Sequence, residues 1–399
     1  MKKQLIPCLL ALVLLFLSAC GGAPDPVPPK DGEAPAKEVE LPAQSPDGGA
    51  ASSDTVEVPD REEGPKDGEA PEAPPDTEEG VPEEPLDREG VFLRFASAMT
   101  ALEEQVRLDV SGMTWQFGPE NDLKNIYYAV LKEYPELKYT YDLEASVSGD
   151  TAECTFRYMP YKTGAYDGGL PAGSHTVGSL HDARVMAQSM NGGTESLDVA
   201  ITDPTLEVDD IQAALSQAGY GWIKYTLSRD GTQIVATPPV GRTLEECSEA
   251  INESFRLGGE VLAQVVTEDM TDREKAQALY HYLVSSVGYD FRYYSDRENM
   301  PYESTVALGA LRDGLAICGG YAQALETLLD MAGIENYTVS GISKGEHHMW
   351  NYVVLEGQGY YCDPTADRGG MNGHFLLSRD ELEALGGYSW ERAYFDSTP

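Results

Sequence analysis

The chain has 399 residues and a formal net charge of −39, from 67 acidic and 28 basic side chains. This balance excludes a broad nucleic-acid-binding face, because neutralising phosphates requires clustered Lys and Arg. About 41% of the residues are hydrophobic, which is enough for a sizeable core and for two or three domains. Six cysteines are too few for a disulfide scaffold.

The first twenty residues have the features of an export signal. A positively charged start precedes an apolar run, Leu9 to Leu17, which is too short to span a membrane. The run ends in L-S-A-C, with Cys20 last, and resembles the lipobox of a bacterial lipoprotein signal peptide. The resemblance implies a signal peptide over 1–20 and a lipid anchor on Cys20, at the extracellular face of the cell membrane. The alternative is an ordinary secretory signal with a chance cysteine.

Residues 21–90 are predicted to be a disordered linker. They contain no aromatic residue, 14 of the 25 prolines, and 21 acidic against 5 basic residues. Such a segment cannot bury enough apolar surface to offset the entropy of ordering it. The heptapeptide P-K-D-G-E-A-P occurs twice, which is typical of low-complexity sequence. We expect a solvated spacer that could thread a cell wall.

Residues 91–243 have a mixed α+β pattern. Helical spacing of apolar residues predicts a helix over Leu123–Leu131, and a turn signal separates predicted strands at Lys138–Leu143 and Thr151–Tyr158. A similar helix–strand–turn–strand pattern follows at Val208–Leu215, Lys224–Leu227 and Gln233–Thr237. We interpret the pattern as two repeated small units, with chance repetition of a common motif as the alternative.

Residues 244–399 are predicted to form the domain that carries the chemistry. A helix is expected at Leu244–Val266, and a capping box at Thr271 starts another that ends near Gly288. A short helix is expected at Thr305–Arg312 and a longer one at Gly319–Met331. The predicted strands are Tyr337–Ile342, Met349–Leu355 and Gly359–Asp363.

Three residues in this domain form a candidate catalytic set. Cys318 stands at a helix start, where free backbone N–H groups and the helix dipole favour the thiolate form. His348 could take the thiol proton and later protonate a leaving group. Asp363 follows on the next strand and could orient the imidazole. Gly319 and Gly320 are expected to leave room for a substrate backbone.

The context of these residues resembles the transglutaminase-like superfamily. The matching stretches are I-C-G-G-Y-A at Cys318, H-M-W-N at His348 and C-D-P-T at Asp363, within a resemblance over about 265–370. The family often has Trp before its D-P-T strand, whereas Tyr360 and Tyr361 stand here. This departure leaves the three catalytic candidates intact but bears on the substrate cleft.

The resemblance implies a papain-like fold with Cys318 as nucleophile, His348 as base and acid, and Asp363 as orienting residue. It also implies a thioester intermediate whose acyl group passes to an amine or to water, without a metal or other cofactor. Trp350 is expected near the site, as part of the substrate cleft. The backbone N–H of Cys318 is expected in the oxyanion hole.

Alternative roles remain open for several neighbours. His347 adjoins His348 and is the second choice for the base, although strand alternation would turn it to the opposite face. Cys362 is either a core residue or a partner for a Cys318 disulfide that would disable the nucleophile. Cys154 and Cys247 are either a bridge or two buried thiols. A zinc site made of the two histidines, Cys318 and Cys362 lacks the short-spaced ligand pairs of structural zinc.

Two functions follow from the sequence. The first is a lipid-anchored cysteine acyltransferase, protease or amidase acting on a peptide or protein substrate, cell-wall associated or otherwise. The second is a non-catalytic cell-surface binding module that uses the same fold. The intact set of Cys318, His348 and Asp363 favours the first.

Overall fold

The computed structural model of the protein describes residues 84–391 and 393–397. The predicted signal peptide, Cys20 and nearly all of the predicted linker lie outside the described residues. The first described helix, α1 (Arg88–Thr100), begins after Asp87, whose carboxylate accepts a hydrogen bond from the Gly90 amide. Within the described ranges, no helix has both the length and the apolar character that crossing a bilayer requires.

A three-stranded antiparallel sheet follows α1. Its elements are β1 (Gln105–Asp109), α2 (Pro119–Glu133), β2 (Thr140–Ser148) and β3 (Thr151–Tyr158), with strand order β1-β3-β2. The predicted helix and hairpin are confirmed. Strand β2 starts two residues later than predicted, because the Lys138 amide closes a 3-10 turn by donating to the Pro135 carbonyl.

The second unit repeats this topology. Its elements are β4 (His175–Val177), α3 (Leu180–Ser189), β5 (Ser196–Ile201), α4 (Val208–Ser216), β6 (Lys224–Leu227) and β7 (Gln233–Thr237). Strands β5, β7 and β6 are adjacent in that order and antiparallel, as β1, β3 and β2 are, while β4 pairs with β5 in parallel. Without β4, which the first unit lacks, the second unit has the same element order as the first, α-β-α-β-β. The boundaries of 91–243 as a region stay a prediction.

The C-terminal part begins with two long helices, α5 (Leu244–Val265) and α6 (Asp272–Ser286). Each opens with a capping box, in which a Thr hydroxyl and a Glu carboxylate satisfy the first backbone amides. The elements that follow are β8 (Gly288–Tyr289), α7 (Arg292–Ser295), β9 (Leu315–Ala316), α8 (Cys318–Met331), β10 (Asn336–Ser343), β11 (Glu346–Leu355), β12 (Gln358–Cys362), α9 (Arg379–Ala384) and β13 (Tyr388–Ser389).

Helix α8 and a four-stranded antiparallel sheet frame the candidate site. The strand order is β12-β11-β10-β13. The three predicted strands are confirmed, and β11 starts at Glu346, so that His348 lies inside the strand. Helix α8 is tied to β11 by the Asn351 side-chain amide, which donates to the Ala322 carbonyl at 2.9 Å.

Helix α5 belongs to two hydrophobic cores. Its Cys247 and Ile251 are buried in the core of the two N-terminal units, whereas its Val261 is buried with the helices of the C-terminal part. A single helix therefore packs on both sides of the predicted boundary at 243/244, which stays a prediction.

The short helix predicted at Thr305–Arg312 is present over residues 307–313 and ends in a π-helical turn at Gly309–Asp313. A 3-10 turn at Tyr302–Thr305 precedes it. The two turns lie close together, since a Cβ on Gly309 would be 2.3 Å from the Glu303 carbonyl oxygen. This contact leaves no room for a side chain at position 309.

Candidate active site

Cys318 is the first residue of α8 and is partly exposed. The preceding Ile317 is extended and gives no side-chain cap to the helix. Its amide donates to the Ser304 carbonyl at 2.8 Å, which fixes the entry into α8. The thiol therefore sits at a helix N-terminus whose first amides no capping side chain occupies.

Gly319 and Gly320 allow the protein's own backbone to approach α8. A Cβ on Gly319 would lie 2.7 Å from the Thr305 carbonyl oxygen. A Cβ on Gly320 would lie 2.6 Å from the Ser304 carbonyl oxygen. We expected this space to be left for a substrate backbone, but beside the two Cβ positions the backbone of residues 304–305 occupies it. A place for the two glycines in a substrate cleft stays a prediction.

His348 and Asp363 are joined by a hydrogen bond. The His348 Nε2 atom lies 2.7 Å from Asp363 Oδ2, with the imidazole 15% exposed and the carboxylate 1% exposed. The pairing of Asn351 with Cys362 brings the two residues together, since it sets the end of β12 beside β11. The carboxylate that was predicted to orient the imidazole is thus hydrogen-bonded to the residue that was predicted to be the base.

The charged state of this pair is favoured by its surroundings. Burial lowers the pKa of His348, but hydrogen bonds with Asp363 and with the Cys318 side chain outweigh it and raise the pKa to about 10. Burial also opposes ionisation of Asp363, yet its bonds with His348, Tyr388 and the Ala366 amide keep its pKa below the usual value. An imidazolium beside the thiol is therefore stable at neutral pH.

Tyr388 completes the Asp363 environment and was not predicted. Its hydroxyl donates to Asp363 Oδ2 at 2.7 Å, from strand β13 next to β10. Tyr388 follows Asp363 by 25 residues, beyond the last predicted strand, and no local sequence pattern marks it. Only the sheet pairing of β13 brings it into the site.

Trp350 lies behind the imidazole. Its ring is fully buried and stacks on His348, with centroids 5.9 Å apart and an interplanar angle of 28°. Tyr388 and Trp390 pack edge-on against it, at 5.4 and 5.5 Å. Trp350 therefore lies near the site, with its indole fully buried. Its place in a substrate cleft stays a prediction.

A second His–Asp pair lies next to the first. Asp367 is 1% exposed and accepts hydrogen bonds from the His374 ring at 2.9 Å, from the amides of Gly373 and His374, and from the Tyr280 hydroxyl. The same Tyr280 hydroxyl is 2.9 Å from the Asp363 carbonyl, and the Asp363 amide donates to the His374 carbonyl. Asp367 therefore organises the loop that carries Asp363.

The remaining candidates are placed away from the chemistry. His347 is exposed and opposes Ile342 in the sheet, so it lies on the other face from His348. Cys154, Cys247, Cys318 and Cys362 are free thiols. Cys362 is a core residue, and burial raises its pKa to about 12. Among residues 84–391 and 393–397 no group of His, Cys, Asp or Glu side chains is suited to hold a metal ion.

Comparisons with known proteins found similarity over parts of the chain. Residues 260–363 match the family model of the transglutaminase-like superfamily. The kyphoscoliosis peptidase of Homo sapiens is 28% identical over 118 residues, and that of Mus musculus 27%. Each match covers 27% of this chain and only 17% of the relative. A crystal structure of a TGase covers 71% of this chain and 55% of its own, with 11% identity and a TM-score of 0.27.

Proposed function

Because residues 260–363 are a transglutaminase-like domain, we propose that the protein is a cysteine enzyme that attacks peptide or protein amides with Cys318. The observation that carries the proposal is the 2.7 Å hydrogen bond between His348 and Asp363 beside the first residue of α8. This arrangement supports a nucleophile, a base and an orienting carboxylate in one place.

The first half of the reaction forms a thioester. The Cys318 sulfur attacks the amide carbonyl carbon, and the carbonyl oxygen becomes an oxyanion near the Cys318 backbone N–H. The C–N bond then breaks as His348 donates its proton to the departing amine. The nitrogen that donates is Nδ1, since Nε2 is hydrogen-bonded to Asp363. The products of this step are a free amine and the acyl-enzyme.

The second half transfers the acyl group. An incoming amine or water molecule loses a proton to His348 as it attacks the thioester carbonyl. The C–S bond breaks, the Cys318 thiolate departs, and the imidazolium–thiolate pair is restored. An amine acceptor gives transamidation, and water gives hydrolysis. Both outcomes belong to the proposal, because both use the same three side chains.

We place this enzyme on the extracellular face of a bacterial cell membrane, anchored by a lipid on Cys20. The support is the lipobox-like end of residues 1–20 and the proline-rich acidic segment that follows. An anchor followed by a spacer would hold the domain near the cell wall, so cell-wall-associated peptides are the expected substrates. Metabolic labelling with an alkyne fatty acid should mark the wild-type chain and not Cys20→Ala.

The catalytic proposal is tested by thiol alkylation of the full chain in detergent. Iodoacetamide labelling is followed against pH, and the labelled positions are mapped by mass spectrometry. We expect Cys318 to react at about pH 6 as fast as an ordinary thiol does near its pKa of about 8.5. His348→Ala should remove this advantage, and Cys318→Ala should remove the labelled site.

His347→Ala is the matched control, because His347 is exposed on the opposite face of the same strand. It should leave the Cys318 labelling profile unchanged. If Cys318 instead behaves as an ordinary thiol in the folded wild type, the catalytic proposal is wrong. The chain would then be better described as a non-catalytic surface module.

A further inference from the structure

Three aromatic side chains form an exposed rim after α6. Tyr289, Phe291 and Tyr294, together called the aromatic rim, lie within one ring-to-ring cluster. The Tyr289 centroid is 5.2 Å from that of Phe291 and 6.1 Å from that of Tyr294. Phe291 is 61% exposed and Tyr294 is 59% exposed. Adjoining apolar surface of this kind marks a binding site more often than isolated exposed rings do.

One end of the aromatic rim adjoins the Cys318 side of the site. Tyr289 pairs with Ala316 in the parallel β8–β9 ladder, two residues before Cys318. The Asp290 amide donates to the Ala316 carbonyl at 3.0 Å and extends this pairing. Tyr289 and the Cys318 sulfur are also close enough to interact electrostatically. The rim therefore starts beside the proposed nucleophile.

The other end of the aromatic rim adjoins the His348 strand. The Tyr294 hydroxyl donates to Glu346 Oε2 at 2.8 Å. Glu346 precedes His348 by two residues on β11, and residues two apart on a strand share a face. The aromatic rim thus connects the strand that precedes Cys318 with the strand that carries His348.

Hydrogen bonds to the buried Asp290 side chain fix the loop that carries the aromatic rim. Asp290 is 1% exposed and accepts two hydrogen bonds from the Arg292 guanidinium, both at 2.9 Å. It also accepts one from the Ser304 hydroxyl at 2.7 Å. A buried, fully engaged carboxylate fixes the loop while its rings face water. Such fixed apolar surface binds a partner without a large ordering cost.

We propose that the aromatic rim is a specificity subsite for a large apolar side chain next to the reacting amide of the acyl donor. This inference rests on the proposed function, since it assigns the substrate class of the same site. Phe291 has no polar atom, and the Tyr294 hydroxyl is already directed to Glu346. The surface that Phe291 and Tyr294 offer is therefore ring faces and edges, which aromatic and branched aliphatic side chains cover best. The Tyr289 ring is less available, because the Arg368 guanidinium lies over it at 5.2 Å.

The test uses peptide probes that alkylate a thiol without turnover. Two chloroacetamide peptides differ only in the residue next to the electrophile, Phe in one and Gly in the other. The second-order rate constant of Cys318 labelling is measured for each on the full chain in detergent. We expect the Phe probe to react about tenfold faster, as burial of an aromatic side chain implies. The double variant Phe291→Ala/Tyr294→Ala should bring the ratio close to one.

Phe117→Ala is the matched control, because Phe117 is 62% exposed in the first N-terminal unit. It should keep the tenfold ratio. A wild-type ratio near one, or a Lys probe that reacts faster than the Phe probe, would overturn the subsite. Both rim residues are exposed, and an unchanged thermal transition will show that their replacement leaves the fold intact.

Iodoacetamide labelling of the same samples separates the two proposals. Enhanced Cys318 reactivity with no probe discrimination would leave the catalytic proposal standing and overturn the subsite. Probe discrimination without enhanced reactivity would overturn catalysis, and with it the role of the aromatic rim as an acyl-donor subsite, and would leave only an apolar binding surface. If both effects are missing, both proposals are wrong.

Discussion

Tyr388 and His348 share one oxygen atom of Asp363, with each contact at 2.7 Å to Oδ2. The other carboxylate oxygen accepts from the Ala366 amide at 3.0 Å. The carboxylate is almost fully buried, so its charge is stabilised by these donors and not by water. The hydroxyl of Tyr388 is therefore part of what makes Asp363 an anion that can hold an imidazolium.

Replacing this hydroxyl gives the first prediction. Tyr388→Phe should lower kcat/KM of the proposed reaction by roughly tenfold, since a hydrogen bond to a buried charge is worth about 1.5–3 kcal/mol. Burial raises the pKa of Asp363, and Tyr388 is one of the donors that lower it. Without that donor the pKa of Asp363 rises, so the acid limb of the activity profile should move to higher pH.

The measurement is the pH dependence of kcat/KM, with amide hydrolysis or amine incorporation as readout. Tyr337→Phe is the control, because the Tyr337 hydroxyl donates to the exposed Glu335 carboxylate at 2.8 Å and not to Asp363. An acid limb that stays in place in Tyr388→Phe would contradict this account of Asp363.

Asp367 is predicted to be a positioning residue that acts through Asp363. Asp367→Asn replaces an acceptor of four hydrogen bonds with a side chain that must donate at one of those positions. We expect a loss of about 2–4 kcal/mol in unfolding free energy and a fall in kcat at temperatures where the variant is folded. Urea unfolding and single-turnover kinetics measure the two effects. Asp380→Asn, on the exposed first turn of α9, should leave both unchanged.

Arg184 connects the second N-terminal unit to the helix that starts with Cys318. Its guanidinium is buried and lies 3.2 Å from Glu326 and 3.3 Å from Asp330, both on α8. Arg184→Met should cost about 3–5 kcal/mol of stability, because it leaves buried carboxylates without a cation. Arg157→Met, which removes an exposed pair with Glu144, should leave the stability nearly unchanged.

The cost of Arg184→Met should depend on pH. Burial raises the pKa of Glu326 to about 8 and also raises that of Asp330, while Arg184 opposes both shifts. Without the cation, the Glu326 carboxyl will be neutral in the folded variant at pH 5 and will resist ionisation at pH 8. Urea unfolding at the two pH values should therefore show the larger loss at pH 8. An equal loss at both would contradict a role for these charges.

Two helical glycines should respond in opposite ways to alanine. Gly259→Ala in α5 would place a Cβ 3.7 Å from Met331, an ordinary contact, and should stabilise by about 0.5–1 kcal/mol. Gly320→Ala in α8 meets the Ser304 carbonyl and should destabilise by about 1–3 kcal/mol, with slower Cys318 labelling. Thermal unfolding of both variants tests the contrast.

Local sequence patterns were sufficient to find the three catalytic candidates. Each candidate has a local sequence signal, because Cys318 starts a predicted helix, His348 is next to a predicted strand and Asp363 ends another. The structure has a helix that starts at Cys318, a strand that contains His348 and a strand that ends at Cys362. The contacts that were missed join distant parts of the chain. Arg184 and Glu326 are 142 residues apart, and nothing near either residue predicts the other.

The role of Gly319 and Gly320 shows another limit of sequence reasoning. Small residues at a helix start indicate that something approaches closely, but they do not say what it is. Here the carbonyls of Ser304 and Thr305 occupy the space beside both Cβ positions. In the same way, the position of Trp350 two residues after His348 predicts that the two side chains lie close together. The burial of Trp350 depends on Trp390, which is forty residues later in the chain.

The recognisable family segment ends at residue 363, but the structural support of Asp363 does not. Strand β13 contributes the second hydrogen-bond donor of Asp363 and the fourth strand of the sheet, and Trp390 covers Trp350. A chain cut where similarity stops would leave a buried carboxylate short of a partner and an indole open to water. The residues after 363 are therefore part of the folded unit that holds the proposed active site, although they lie outside the segment that matches the family.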